Sequence, residues 1–359
     1  MIRPRRDPRL TLEQSKRLSK ARQLGQARAI PIFLEDSELM RLLSVIASDV
    51  SNAPLQTALP SLPPESSGDY YKVPLSWFSA PAGAADFPAL YLRCAQTIQD
   101  FDTYFENLCE LHKRRRKYEI ILRAQPLPTM LQVSPRTLLE FGSIATPALA
   151  SWLTWRKWFY DIDNRAAQET GYLFEPILAS ALGGTPYGAK NSPIKRTGDD
   201  GKGRQVDCIV NRDAYEFKLR VTIAASGQGR FGEELAFAED CKASGYVPIL
   251  LVLDPTPSAR LDDLKAEFGR FGGRAYIGND AWQHLESEAG GTMATFVERY
   301  VRRPIASLDE HAIELLDLYV TATRDHSTFH FKLGTGDRAH QWSIQRAEIE
   351  SLGGEDTDE

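Results

Sequence analysis

Long apolar runs are missing from this sequence. The longest, Val247 to Leu253, is about seven residues, against the roughly 20 that a helix needs to cross a bilayer. No membrane span is expected. The N-terminus has no apolar core of the kind a secretory signal needs, so none is readable there. Cysteine is scarce: Cys94, Cys109, Cys208 and Cys241 are scattered and form no CxxC pair. That spacing argues against a zinc ribbon and against a disulfide framework, and it suits a reducing cytoplasm. A strong charge of one sign is also lacking. The net value is −5, which excludes a general polycation but not an enzyme whose positive charge is gathered in one cleft.

What is present is ordinary for a globular protein, with 42% apolar and 25% charged residues in 359. That length suits two or three domains. Charge is unevenly placed. Residues 1–31 carry nine Lys or Arg against Asp7 and Glu13, whereas only acids follow Arg346: Glu348, Glu350, Glu355, Asp356, Asp358 and Glu359. A basic arm can lie along phosphates, and an acidic tail reads as solvated.

Periodicity predicts helices over Leu10–Gln26, Ser37–Ala47, a strong one from about Pro88 to Arg123, and further pieces at Pro135–Phe141 and Pro147–Tyr160. Prolines 54, 60, 63, 64, 74, 81 and 88 mark loops between them. Residues 1–160 therefore read as a mainly helical region with a basic arm and a Pro-rich segment. The pattern changes after Asn164. A helix carrying Phe174, Ile177, Leu178, Ala181 and Leu182 ends at Gly183–Gly184. Two strands joined at Asn211–Asp213 come next, then a helix (about 231–244), an apolar strand (247–253), a helix (258–270), a short strand (274–277) and two helices to about Arg303. Residues 161–305 thus read as an α/β core with a mixed sheet. Residues 306–359 form an extension with a small hairpin around Phe329–Leu333 and the acidic tail.

The chemistry concentrates on the strand pair. Along Ala214–Ile223, Tyr215, Phe217, Leu219, Val221 and Ile223 alternate with Glu216, Lys218, Arg220 and Thr222, which sets a carboxylate and an ammonium side by side on one face. The first strand places Gln205, Asp207 and Ile209 on one face, so a hairpin brings Asp207 near Glu216. Two converging carboxylates are costly unless a cation joins them, and hard oxygen ligands suit Mg²⁺. Mg²⁺ at such a pair can polarise a phosphoryl oxygen, and Lys218 is placed to hold an attacking water or to stabilise developing charge. The spacing contains the parts for phosphodiester hydrolysis. An acid, any residue, then Lys occurs four times, and only Glu216–Lys218 lies on a clean strand behind an Asp-bearing one. The same pattern also suits a solvated strand face.

This arrangement resembles the PD-(D/E)xK nuclease superfamily, with Asp207 at the motif's Asp, Glu216-Phe-Lys218 at its (D/E)xK, and Glu175 at the extra acid of the first core helix. Val206 stands where the motif has Pro. The stretches Lys202-Gly-Arg-Gln-Val-Asp207, Tyr215 to Arg230, and Leu253-Asp-Pro-Thr-Pro257 are similar to the ApaLI-like type II restriction endonucleases. The resemblance implies a restriction-endonuclease-like core in which a mixed central sheet is flanked by helices. It also implies catalytic Asp207, Glu216, Lys218 and Glu175, and Mg²⁺ held by Asp207 and Glu216. The implied partner is double-stranded DNA, cut after the first G of GTGCAC. A homodimer matches a palindromic target, and a DNA methyltransferase of the same specificity is the expected functional associate.

For DNA contacts the sequence offers Lys195, Arg196, Lys202 and Arg204 in a basic loop, and Ser226, Gln228 and Arg230 after the catalytic strand. Gln suits adenine and Arg suits guanine in the major groove. Other classes remain open at this level: a structure-specific repair nuclease or junction resolvase, or a DNA-binding protein on the same fold without activity. The run His112–Lys117 reads better as a solvated helix face than as a DNA-backbone contact, and His326 and His330 as structural.

Overall fold

The computed structural model describes residues 7, 9–24, 30–81, 86–199, 201–219, 228–309 and 315–347. They fall into two compact units interleaved along the chain. One gathers Met1–Arg22, Leu34–Glu110 and Gly171–Asp309, the other Gln23–Phe33, Leu111–Thr170 and Glu310–Glu359.

The first unit begins with α1 (Leu12–Arg22), followed by α2 (Asp36–Asp49), α3 (Phe87–Thr97) and the first half of α4 (Phe101–Ala124), whose residues from Leu111 on belong to the second unit. Glu35 and Glu38 form a capping box at the start of α2, and Leu39, Leu42, Leu43, Val45 and Ile46 are buried along it. The long helix expected from Pro88 is thus two. Asp100 between them has φ +52°, a left-handed conformation that a helix interior does not admit. Asp49 at the end of α2 is buried but satisfied. It accepts from the Tyr104 hydroxyl at 2.8 Å, from Arg299 at 3.0 Å and from the Tyr300 hydroxyl. Burial still raises its pKa despite those donors.

The helix α5 (Thr146–Ala181) runs unbroken for 36 residues across the stretch where the periodicity changes, with Pro176 inside it. Expected helix at Pro135–Phe141 is instead a short α-helical piece, Met130–Val133, running into a 3₁₀ turn, Ser134–Thr137.

The five-stranded sheet contains β1 (Thr185–Tyr187), β2 (Val206–Val210), β3 (Asp213–Lys218), β4 (Val247–Val252) and β5 (Arg274–Ile277), in that spatial order. β1–β2 and β2–β3 are antiparallel, while β3–β4 and β4–β5 are parallel. Parallel neighbours need crossovers: α6 (Gln228–Ala243) lies between β3 and β4 in the chain, and α7 (Ala259–Arg270) between β4 and β5. The β2–β3 hairpin turns at Asn211, whose φ of +55° suits a residue that tolerates the left-handed region. This is the helix, hairpin, helix, strand order read from the sequence, and it is the mixed sheet flanked by helices that the resemblance implied.

Both faces of this sheet are covered. On one, Cys208, Tyr215, Phe217, Ile249 and Leu251 pack with Leu178, Ala179 and Leu182 at the end of α5 and with Ala281 and Leu285 of α8 (Asn279–Glu288). On the other, Ala214, Leu250 and Val252 pack with Phe237, Ala238 and Cys241 of α6 and with Leu261, Leu264 and Phe268 of α7. Continuous burial of Ile249 to Leu253 is what a central parallel strand requires.

In the second unit the C-terminal segment forms a three-stranded antiparallel sheet of β6 (Leu318–Ala322), β7 (Thr328–Leu333) and β8 (His340–Gln345), with β7 in the middle. The expected hairpin is therefore one strand short. Trp158 of α5 is fully buried against Phe329, at 4.8 Å between ring centres, and against Phe331. The basic run on α4 is not solvated. His112 and Lys113 are buried, Lys113 donates to the Gln23 carbonyl, and Arg114 and Lys117 both pair with Glu169.

Candidate active site

The site grows out of the β2–β3 hairpin. Its register pairs Val210 with Asp213, Ile209 with Ala214 and Cys208 with Tyr215. Beyond that pairing, the Phe217 amide donates to the Asp207 carboxylate at 2.8 Å, which ties Asp207 to the strand that carries Glu216. β2 is irregular at this end. The β1–β2 register shifts between Thr185 and Tyr187, and Val206 packs on the α6 face whereas Cys208 packs on the α5 face. Strict alternation along β2 is thus broken beside Asp207, a common device where a strand must re-aim a side chain. β3 keeps its alternation: Tyr215 and Phe217 lie in the core, and Glu216 and Lys218 are half-buried on the other face.

Electrostatics tie four predicted residues together. Burial, then the charges of Glu216 and Glu175, push the Asp207 carboxyl well above the usual range, only partly offset by the Phe217 amide and Lys218. Burial and the Glu216 charge likewise raise Glu175, against Lys218. Burial alone would lower the Lys218 pKa, but the Glu216 and Glu234 carboxylates outweigh it and hold the ammonium charged. Lys218 Nζ lies 2.8 Å from Glu216 and 3.1 Å from Glu234. Asp207, Glu216, Lys218 and Glu175 therefore share one electrostatic neighbourhood. Among the described residues, no group of three or more His, Cys, Asp or Glu side chains is gathered closely enough to cage a metal.

The sequence reading missed Glu234 as part of this neighbourhood. Nothing local marks it: Glu233 and Glu234 are neighbours on α6, and only the fold shows which of them meets Lys218.

One of the cations expected to contact phosphate, Arg204, is turned inward instead. Arg204 is buried and paired with buried Asp240, and it donates to the Glu233 carbonyl at 2.9 Å. Its guanidinium therefore faces the interior. Arg196 pairs with Glu233 at 2.6 Å, Lys202 with Asp199 at 3.0 Å, and Lys195 Nζ donates to the Ser192 carbonyl at 3.1 Å. Gly203 must be glycine, because a Cβ there would stand 1.8 Å from the Ala189 carbonyl oxygen. α6 begins at Gln228, about three residues earlier than expected, so Gln228 and Arg230 lie in its first turn. Ser226 falls outside the described residues.

The model of the ApaLI-like restriction endonuclease family matches residues 83–302, more than half of the chain and all of the five-stranded sheet. The type II restriction enzyme ApaLI of Acetobacter pasteurianus is 48% identical in an alignment of 372 residues that covers 98% of each protein. The chain belongs to the ApaLI-like restriction endonuclease family. No solved structure matches it with significance. The family membership agrees with the restriction-endonuclease-like α/β core formed by the five-stranded sheet and its flanking helices. Among the described residues no helix is long and apolar enough to cross a membrane.

Proposed function

We propose that this protein is a type II restriction endonuclease that hydrolyses double-stranded DNA in a Mg²⁺-dependent reaction, leaving 5′-phosphate and 3′-hydroxyl ends. The observation that carries the reading is the buried Asp207 carboxylate, held by the Phe217 amide on the strand of Glu216 and Lys218 and repelled by the Glu216 and Glu175 charges. The near full-length relative supports the same class, and the quoted motif stretches support GTGCAC as the target, cut after its first G. A palindrome of that kind suits a two-fold homodimer in which each subunit cuts one strand. A methyltransferase of matching specificity would protect the host DNA.

The donor set fits Mg²⁺. This ion takes one or two carboxylates and fills its other positions with water and substrate phosphate, so a cage of three side chains is not required. Asp207 and Glu216 would hold it, and the burden of mutually repelling charge at Asp207 is the kind that a cation relieves. When bound it supplies a Lewis acid for the scissile phosphate and lowers the pKa of a water. The chain's own contribution is positional and electrostatic. Lys218 presents a fixed positive charge to the phosphoryl oxygens as negative charge builds on them. Glu175 adds a third acid from α5, which would orient the attacking water. The oxygen of that water forms the new bond to phosphorus and loses a proton to solvent, while the bond to O3′ breaks and O3′ takes up a proton from a second water. Lys195, Arg196 and Lys202 are proposed phosphate contacts that fix the duplex, and Gln228, Arg230 and Ser226 are proposed to read bases.

The test is cleavage of plasmid DNA by the purified protein with and without EDTA, followed by sequencing of the ends. Mg²⁺ is expected to support cutting and EDTA to stop it. Asp207→Ala and Glu216→Ala should each lower the rate by roughly 10³-fold or more while the folded structure survives. Full activity in EDTA, or in either variant, overturns the assignment.

A further inference from the structure

We propose that Glu234 is a positioning residue for Lys218, holding the ammonium at the mouth of the catalytic pair from the helix side. The proposal rests on the endonuclease reading above and assigns that site a fifth residue. Its basis is geometric. Lys218 Nζ lies between two carboxylates on different elements, Glu216 of β3 at 2.8 Å and Glu234 of α6 at 3.1 Å. A lysine side chain has four rotatable carbons and a point charge, so one partner two residues away on its own strand does not fix where the charge sits. A second acceptor from another element does. The side chains of Lys218, Glu216 and Glu234 are 21%, 17% and 29% exposed, enough burial to stiffen the contact while leaving room for a phosphate.

The rest of α6 shows why Glu234 is the acid available for this task. Its neighbour Glu233 is engaged by Arg196 and Arg204, and Asp240, two turns on, is engaged by Arg204 and by the amide and hydroxyl of Thr197. These contacts fasten the helix to the loop before β2. Glu234 is turned instead to the strand face that carries Glu216 and Lys218. The buried Arg204–Asp240 pair anchors α6, α6 places Glu234, and Glu234 places Lys218. Since Lys218 acts where negative charge develops, a displacement of about 1 Å is worth as much as 10²-fold in rate.

Two variants separate positioning from other roles. Glu234→Ala should lower the single-turnover cleavage rate about tenfold to hundredfold, with affinity for the cognate duplex, measured in Ca²⁺, unchanged within about twofold. Glu234→Gln should recover most of the rate, because its amide oxygen still accepts from the ammonium. A readout independent of cutting is the ¹⁵N–¹H signal of the Lys218 ammonium, identified by its loss in Lys218→Met. It should be present in the wild type and in Glu234→Gln and broadened away in Glu234→Ala. An unchanged rate in Glu234→Ala overturns the proposal. So does equal inactivity of Glu234→Gln, which would make the negative charge itself the requirement. If the wild type does not cut DNA at all, the endonuclease reading fails first, and the ammonium signal alone then tests whether Glu234 holds Lys218.

Discussion

The five-stranded and three-stranded sheets treat their faces in opposite ways. The five-stranded sheet is covered on both sides, by α5 and α8 on one and by α6 and α7 on the other. The three-stranded sheet buries one face only. Val320, Phe329, Phe331 and Ile344 pack with Trp155 and Trp158, whereas the register lines up Tyr319, Lys332 and Gln341, and next to them Thr321, His330 and Ser343, on the opposite face. Five of those six are exposed and Lys332 is half-buried. In the covered sheet every polar side chain on a strand has to find a partner or bear the cost of desolvation. That constraint is why Asp207, Glu216 and Lys218 are all engaged, and why Asp207 and Lys218 have shifted pKa values. In the open sheet the polar side chains of that face are mostly solvent-exposed, so water meets the same need.

The sharpest way to break that comparison is to remove one charge from the covered side. Arg204→Ala would leave Asp240 buried without its cation, and it should destabilise the protein by about 3–5 kcal/mol. Chemical denaturation would show this as a lower midpoint at unchanged slope. A loss below about 1 kcal/mol would mean that Arg204 is not held inside as described.

A smaller effect is expected where α6 leaves the site. Gln228→Ala and Arg230→Ala should each cost about 1–3 kcal/mol of discrimination between cognate and scrambled duplexes. Non-specific, salt-sensitive binding should survive. Wild-type ratios in both variants, measured at one salt concentration, would move base reading away from this helix turn.

The smallest effect belongs to the open sheet. Thr321→Ala or Lys332→Ala should change stability by no more than about 0.5 kcal/mol. A loss several times larger in either would show that this face is covered in solution and would end the contrast between the two sheets.

Much of β3 was legible in advance because its signal is local. Alternation of period two along Ala214–Leu219 sorts core from polar face without any tertiary information, and the polar set includes the proposed Glu216 and Lys218. The hairpin turn at Asn211 and the apolar run of β4 were readable for the same reason. Elements outside the core were less so. α5 continues past residue 160 because packing against Phe329 and Phe331 and against the sheet holds it at both ends, and propensity has no access to either contact. The third strand of the small sheet was hidden because Leu318–Ala322 and His340–Gln345 are mostly exposed, so they lack the buried alternation that marks a strand.

By itself, then, the sequence determined the order of core elements, the polar face bearing Glu216 and Lys218, the pairing of that face with Asp207, and through its motif stretches the nuclease family. The tertiary structure decided which charges meet. Arg204 was one cation among several in a polar loop, and only the fold sends it inward to Asp240, 36 residues away. Glu234 was one acid of a pair, and only the docking of α6 against β3 brings it rather than Glu233 to Lys218. Strand alternation is a property of the backbone and is written in consecutive residues. The partner of a charge is set by where two elements pack, because Coulombic attraction carries no directional preference that a sequence could encode.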